Sequence, residues 1–452
     1  MSVHLGESLA ELRESLVGDV MGPADPEYEA ARRCFNAFVD RRPAVIARCA
    51  GAADIAAAFD FARVHDLEVA VRGGGHNPAG HCVCDDGLVI DLSQMRAVEV
   101  DSEARIARAH GGATWLDFDT ATQKHGLVTP GGIVGSTGVC GLTLGGGIGH
   151  LTAQHGLTCD NLVGAELVTP DGSVVNASVE DNAELLWALR GAGGNFGVAT
   201  QLEFRLHPLD LVVGGRLEYR GARVRDVLRL YRDAVARSPR QLSCQAEISL
   251  DDSLTPALLV APCFTGADDA SEELHVLRTA PGLVTDEVRP QTFLEQQLVF
   301  DSPYGENRHY WKGHFVRELP DELIDELVRR IVDFGRPPVH VLIESLHGAL
   351  KDADGDLSAL AYRDAAFNVT AIAVWHDPSA DETHTAWARE TAAAMEPWSF
   401  SGGGYANYMQ ADEPLERVRA AFGEAAFPRL QSLKRRYDPA NVLHRNQNVP
   451  PA

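Results

Sequence analysis

The chain has 452 residues, 45% of them hydrophobic and 23% charged, and a net charge of −24. Those values exclude a disordered chain, and no charge-free apolar run reaches the length of about 18 residues that a membrane span needs. So acidic a surface repels phosphate backbones and anionic lipids, which argues against nucleic-acid and membrane partners. The length exceeds one ordinary core, so two domains are expected.

The first residues, MSVHLGESLAELRESLVGD, hold three glutamates and no apolar core of signal-peptide length. They read as an amphipathic surface helix, and a cytoplasmic location is expected. The eight cysteines are scattered without a CxxC pair, which predicts buried reduced thiols. Helical spacing of Ile55, Phe59 and Ala62 predicts a helix over 52–66. LEVAVRGGGH reads as a strand entering a glycine turn, and 87–92 as a second buried strand. Residues 114–125 read as a helix. Residues 163–178 read as a hairpin turning at Pro170-Asp171-Gly172. Asp181 and Glu184 before LLWAL predict a capping box, and GAGGNFGVAT then runs into the strand QLEFRLHP.

The style changes near His207. From there to Trp398 glycine is sparse, and strands alternate with charged helices. ISLDD, ALLVAPCF, YWKGHFVREL, HVLIESLHG and FNVTAIAVW are strand candidates. PDELIDELVRRIVDF and DETHTAWARETAAAM are amphipathic helices. The expectation is one antiparallel sheet covered by helices. The last fifty residues are loop-rich and are expected to return to the first domain.

Nine of the 19 residues from Gly131 to Gly149 are glycine. Such a run costs backbone entropy at each position, and close backbone approach to a ligand is the usual reason. Its N–H groups suit a pyrophosphate. A Rossmann fingerprint fails, since Gly147 and Gly149 are followed by Thr152, and Gly191 and Gly193 by Phe196. No Walker loop and no HExxH pattern occurs, so no metal is expected. Arg72-Gly73-Gly74-Gly75-His76 presents a histidine, a competent nucleophile, at the tip of a glycine turn.

Together these residues resemble the berberine-bridge-enzyme-like flavoproteins of the vanillyl-alcohol-oxidase or PCMH-type FAD family, from about Asp25 to the C-terminus. VRGGGHNPAGH is similar to the family's flavin-bonding motif. That implies His76 as the covalent FAD ligand, with Arg72, Gly73, Gly74, Gly75, Asn77 and His81 around the cofactor. PGGIVGSTGVCGLTLGGGIG followed by HGLTCDNL resembles the pyrophosphate loop. That implies Pro130, Gly131, Gly135, Ser136, Thr137, Gly138, Cys140, Gly141, Gly145 and Asn161 as cofactor contacts. LRGAGGNFGVAT matches a segment that lines the isoalloxazine, implying Gly197 and Val198. The ending YDPANVLHRNQNVPP implies Asn446 and Asn448. Plant members carry a second, cysteinyl flavin bond. Val134 stands at that place and Cys140 six residues on, so a single bond through His76 is expected.

The resemblance implies an α+β fold. It has a two-part PCMH-type FAD-binding domain (1–206, with 407–452 returning to it) and a substrate domain (207–406) whose sheet roofs the flavin. Hydride transfer to flavin requires a base for the heteroatom proton. Tyr408, the second tyrosine of YANY, is one candidate and Glu344 in HVLIESLHG another; Tyr405 is a lesser one. A phenol of pKa about 10 needs a nearby cation to act near neutrality, a role open to Lys312, one of four lysines. Lys312 or His314 is also the expected cation for the reaction with dioxygen. The function expected is a flavin-dependent oxidase of a small-molecule alcohol, amine or activated C–H in specialised metabolism, releasing hydrogen peroxide. A flavin oxygenase acting on polyketide-type substrates is the close alternative, and a non-catalytic binding protein on the same scaffold a third.

Overall fold

A computed structural model describes residues 2–266, 272–301, 304–353 and 355–452. The N-terminal helix Ser2–Ser15 buries Leu12, and Leu16 just after it, against a four-stranded sheet. In that sheet Val69–Arg72 and Val45–Arg48 flank Leu88–Asp91 in parallel, and Asp19–Met21 closes one edge antiparallel. Its strands are short apolar runs covered on one face by the helix Ala52–Val64, as the periodicity predicts.

A second sheet, antiparallel and five-stranded, follows. Val198–Arg205 sits at its centre between Ile106–His110 and Leu162–Val168. Leu162–Val168 and Val174–Ser178 form the expected hairpin, and Gly172 takes φ +83° in its turn. Thr114 caps the helix Trp115–Thr122 in a full capping box with Asp117. The box expected at Asp181 does not form. Asn182 holds the cap position at φ +52° with no side-chain capping bond, its amide donating to Asn176 O instead, and Glu184 pairs with Arg429 on the C-terminal helix Ala426–Tyr437. With the cap at Asn182, one residue later than expected, Glu184 falls at the second helical position, and the third, where a box needs its carboxylate, is Leu185.

The middle of the chain builds a nine-stranded antiparallel sheet. Leu242–Leu250, Pro256–Phe264, Arg308–Val316, Val339–Ser345 and Phe367–Trp375 are its long strands; the last four lie where the apolar runs predict, while the first begins six residues before the expected ISLDD and ends within it. The helices Val224–Arg237, Asp321–Phe334 and Asp381–Met395 cover one face, and their apolar stripes join it in the largest core of the protein. The other face is left for the first two sheets, and the cavities lie there.

Asn36 ties the three parts together. Its buried amide donates to Pro78 O (2.7 Å) and His309 O (2.9 Å), and its Oδ1 accepts from His309 N (2.7 Å). The loop at 34–38, the loop after His76 and the roof sheet thus meet in one side chain. No helix among the described residues is long and apolar enough to cross a membrane. Asn36→Ala leaves a buried carbonyl and N–H unpaired, and is expected to lower stability by about 3 kcal/mol in denaturant unfolding.

Candidate active site

The strand Val69–Arg72 ends with Arg72 buried against Asp91 (3.0 Å) and donating to Arg33 O. Arg72 therefore braces the turn from behind and lines neither of the two cavities beside it. Gly73–Gly75 then lie against the glycine-rich loop. A Cβ on Gly74 would stand 2.4 Å from Gly138 N, so two backbones touch where any side chain would part them. His76 leaves this turn with Nε2 2.8 Å from Ser136 Oγ. Phe35 stacks on its ring at 4.3 Å and 19°, and His309 stacks on Phe35 at 4.5 Å. Burial pushes the His76 imidazole down to about 4, so the ring is neutral at physiological pH.

Two cavities open from this turn. One, of about 210 Å³, is lined by Gly73, Asn77, His81, Cys140, Gly141, Gly145, Gly197, Val198 and Asn446. The other, of about 680 Å³, is lined by Gly73, Gly74, Gly75, His76, Asn77, Thr137, Gly138, Gly141 and Tyr408. Val71, Gly73, Asn77, Cys82, Gly141 and Asn407 border both, which makes them two ends of one slot. The segment Gly191–Ala199 lines only the smaller end, away from His76 and Tyr408. It was expected beside the isoalloxazine, but Val198 opens the central strand of the second sheet, which lies on the far side of the slot.

Several expected contacts serve the walls instead. Pro130, Gly131, Gly135, Ser136 and Asn448 line neither cavity. Gly131 makes room for the Trp115 ring, and Gly135 N donates to Asp301. Asn161 spends its amide on His155 O and Leu157 O and its oxygen on His207, closing a turn away from the slot. Sequence reasoning missed Lys434, which is fully buried and donates to Asn195 O, Asp438 and Leu443 O. Asn195 accepts in turn from Val449 N, so the terminal signature anchors the floor of the smaller cavity. The signal was available, as Lys434 and Asp438 are four apart in a lysine-poor chain.

On the roof, Tyr408 donates to Glu344 Oε1 (3.2 Å), and Asn368 Nδ2 donates to Oε2 (2.7 Å). Glu344 is fully buried and lines neither of the two cavities; Tyr408 stands between it and the slot. Burial pushes the Glu344 carboxyl up to about 7, and the two hydrogen bonds hold it from rising further. The Tyr408 phenol is raised well above its ordinary value by burial and by the neighbouring Glu344. Trp311 meets its ring edge-on at 5.0 Å.

Lys312 does not assist it. Strand alternation turns His309 and Trp311 to the slot and Lys312 and His314 to the helix-covered face. There Lys312 pairs with Glu413 (2.7 Å) and Asp412 (3.2 Å), and His314 bonds Ser399 and Ala392 O. Tyr405 is also not at the cavity. Its hydroxyl accepts from Gly147 N, Ile148 N and Asn407 Nδ2, so it anchors the glycine loop.

Two family models match the chain: one described as an FAD binding domain, over residues 43–178, and one described as berberine and berberine like, over residues 404–450. An FAD-linked oxidoreductase of Dictyostelium discoideum is 30% identical, covering 98% of this chain and 96% of that protein. The chain belongs to the berberine-bridge-enzyme-like FAD-linked oxidoreductases. The (R)-6-hydroxynicotine oxidase of Paenarthrobacter nicotinovorans is 29% identical over 97% of each chain. A crystal structure of 6-hydroxy-D-nicotine oxidase from Arthrobacter nicotinovorans superposes with a TM-score of 0.89 at 29% identity, over 97% of this chain and 99% of that one.

The slot fits FAD. Glycine backbone lines it where a flat ring and a pyrophosphate need close approach. His81 Nε2 and Asn446 Oδ1 are buried at the smaller end without a partner, as sites for a polar ligand would be. Among the described residues no cluster of His, Cys, Asp or Glu is arranged to hold a metal.

The oxidoreductase bears a stability cost at Glu344. Folded, the group keeps its proton to about pH 7; unfolded, it loses it near 4.5. Its contribution therefore falls as pH rises from about 4.5 through 7. Glu344→Gln is expected to be more stable than wild type at pH 8 by up to about 3 kcal/mol, and equal to it near pH 4, in paired unfolding curves.

Proposed function

We propose that the oxidoreductase is an oxidase of a small molecule, with FAD joined covalently through His76 alone and Tyr408 with Glu344 as its proton acceptor. The flavin-binding part is residues 1–206 with 407–452, and the roof is 207–406. A neutral, stacked and hydrogen-bonded His76 at the larger cavity supports the first attachment. Against a second, Val134 carries no thiol, and Cys140 faces the smaller cavity with its thiol pushed up to about 12 by burial.

The observation that carries the reading is the buried Tyr408–Glu344 pair set on the wall of the cavity that also holds His76. FAD, when bound, accepts a hydride from the substrate carbon. Tyr408 takes the heteroatom proton as it hands its own to Glu344 Oε1. Alone, so raised a phenol is a poor base; with a carboxylate near pKa 7 behind it, the pair matches neutral pH. Asn368 fixes the second carboxylate oxygen, so Oε1 stays turned to Tyr408. Ile133, Leu342, Ile372 and Val374 keep the reaction zone dry. Electrons then pass to dioxygen, giving hydrogen peroxide. The oxidases among the relatives support this outcome; Lys312 and His314 do not, because they face away.

His76→Ala is expected to lose its yellow colour on acid precipitation, while wild type and Cys140→Ala keep it. Tyr408→Phe and Glu344→Gln should each slow anaerobic flavin reduction at least about tenfold with flavin still bound. In wild type that rate should rise with pH through about 7, as Glu344 ionises. Tyr408→Phe removes a bond that lowers the Glu344 pKa, so its limb should move to higher pH. An unchanged profile would count against the pair. Under ¹⁸O₂ the product should stay unlabelled while peroxide matches turnover; label in the product would favour the oxygenase.

A further inference from the structure

The roof carries one carboxylate on the cavity wall that makes no hydrogen bond or ion pair among the described residues, that of Glu247. Cys244, Ala246 and Ile248 of its strand are buried under the helices, so alternation turns Glu247 to the cavity. It faces Leu342 across one neighbour and Leu259 across the other. Glu344, two residues on from Leu342, is its diagonal neighbour at about 7–8 Å by sheet geometry.

The surroundings of Glu247 are apolar, with Leu342, Ile372, Val374 and Ile133 in one cluster and Val134 and Phe300 packed on it. A carboxylate in such a wall gains most from a cation and is penalised by an anion. No lysine, arginine or histidine pairs with Glu247 among the described residues. Arg216 is the only lysine or arginine on this wall among the described residues, and its guanidinium donates to Val299 O. Of the four histidines on this wall, burial keeps His76 and His309 neutral, at about 4 and about 3, and neither His340 nor His376 makes a hydrogen bond or ion pair with Glu247 among the described residues. Lys312 lies on the opposite face of the sheet. Asp301, the other carboxylate here, is exposed and accepts from Gly135 N. The net charge of −24 adds a long-range field that draws cations.

We infer that Glu247 binds the ammonium group of the substrate, which makes the substrate class amines with an apolar body rather than carboxylic acids or sugars. The apolar walls hold the substrate's body, and the ammonium sits at Glu247 while Tyr408 meets the heteroatom on the reacting carbon, a different part of the substrate. The inference deepens the oxidase reading and rests on it for the role of the cavity.

The test is equilibrium binding to the FAD-loaded protein without oxygen, read from the change in flavin absorbance. Tyramine, tyrosol and 4-hydroxyphenylacetate share a frame and differ in charge. Tyramine is expected to bind at least about tenfold tighter than tyrosol, the acid most weakly, with the preference shrinking as salt is raised. Glu247→Gln should bring tyramine to the tyrosol value and leave tyrosol within about twofold, which also shows the cavity intact. The inference is overturned if the variant keeps the amine preference, if wild type shows none or prefers the acid, or if tyramine does not bind at about 10 mM. No turnover is needed. A Glu247-dependent amine preference without flavin reduction by any amine would sink the oxidase reading and leave this one standing.

Discussion

The contact between two stretches of bare backbone sets the shape of the site. Gly74 and Gly138 approach so closely that a Cβ on either would stand about 2.4–2.5 Å from a backbone nitrogen of the other. That contact fixes the His76 turn against the glycine-rich loop, and the slot opens beside it. Everything that defines His76 follows from its place there, including the Ser136 bond, the stack on Phe35 and the neutral ring. Asn36 then joins this unit to the roof, since its one amide bonds both the loop after His76 and the strand of His309.

The roof works through the two faces of a strand. The odd positions of Arg308–Val316 give the slot His309 and Trp311. The even ones give the helices Tyr310, Lys312 and His314. Val339–Ser345 divides the other way, with Val341 and Ile343 in the core and Leu342 and Glu344 toward the slot. One sheet therefore supplies a dry packed core on one side and a selective wall on the other. A shift of register by one residue would exchange them.

Glu344 shows what the site costs the fold. Desolvation disfavours its charged form, and that same penalty brings its pKa to the range where a base is effective near neutrality. The carboxylate tolerates burial because Asn368 and Tyr408 bond its two oxygens. Tyr408 gains a partner that its own high pKa makes necessary.

Local pattern in the sequence determined most strands and helices, the glycine turn with His76, the family, and Tyr408 and Glu344 as separate candidates; that the two meet was decided by the tertiary structure. Those features depend on period, composition and short motifs, which are carried by neighbouring residues. Tertiary structure alone decided which face of the Arg308–Val316 strand met the slot, so Lys312 was legible as a rare residue but not as one turned away. It likewise decided that Tyr405 and Lys434 hold loops, that Glu184 pairs with Arg429, and that Gly191–Ala199 lines the smaller end. In each case a deciding partner lies about a hundred residues or more away, even where, as for Lys434 with Asp438, another is close in sequence. No local period encodes such a meeting, because it exists only once the sheets have packed.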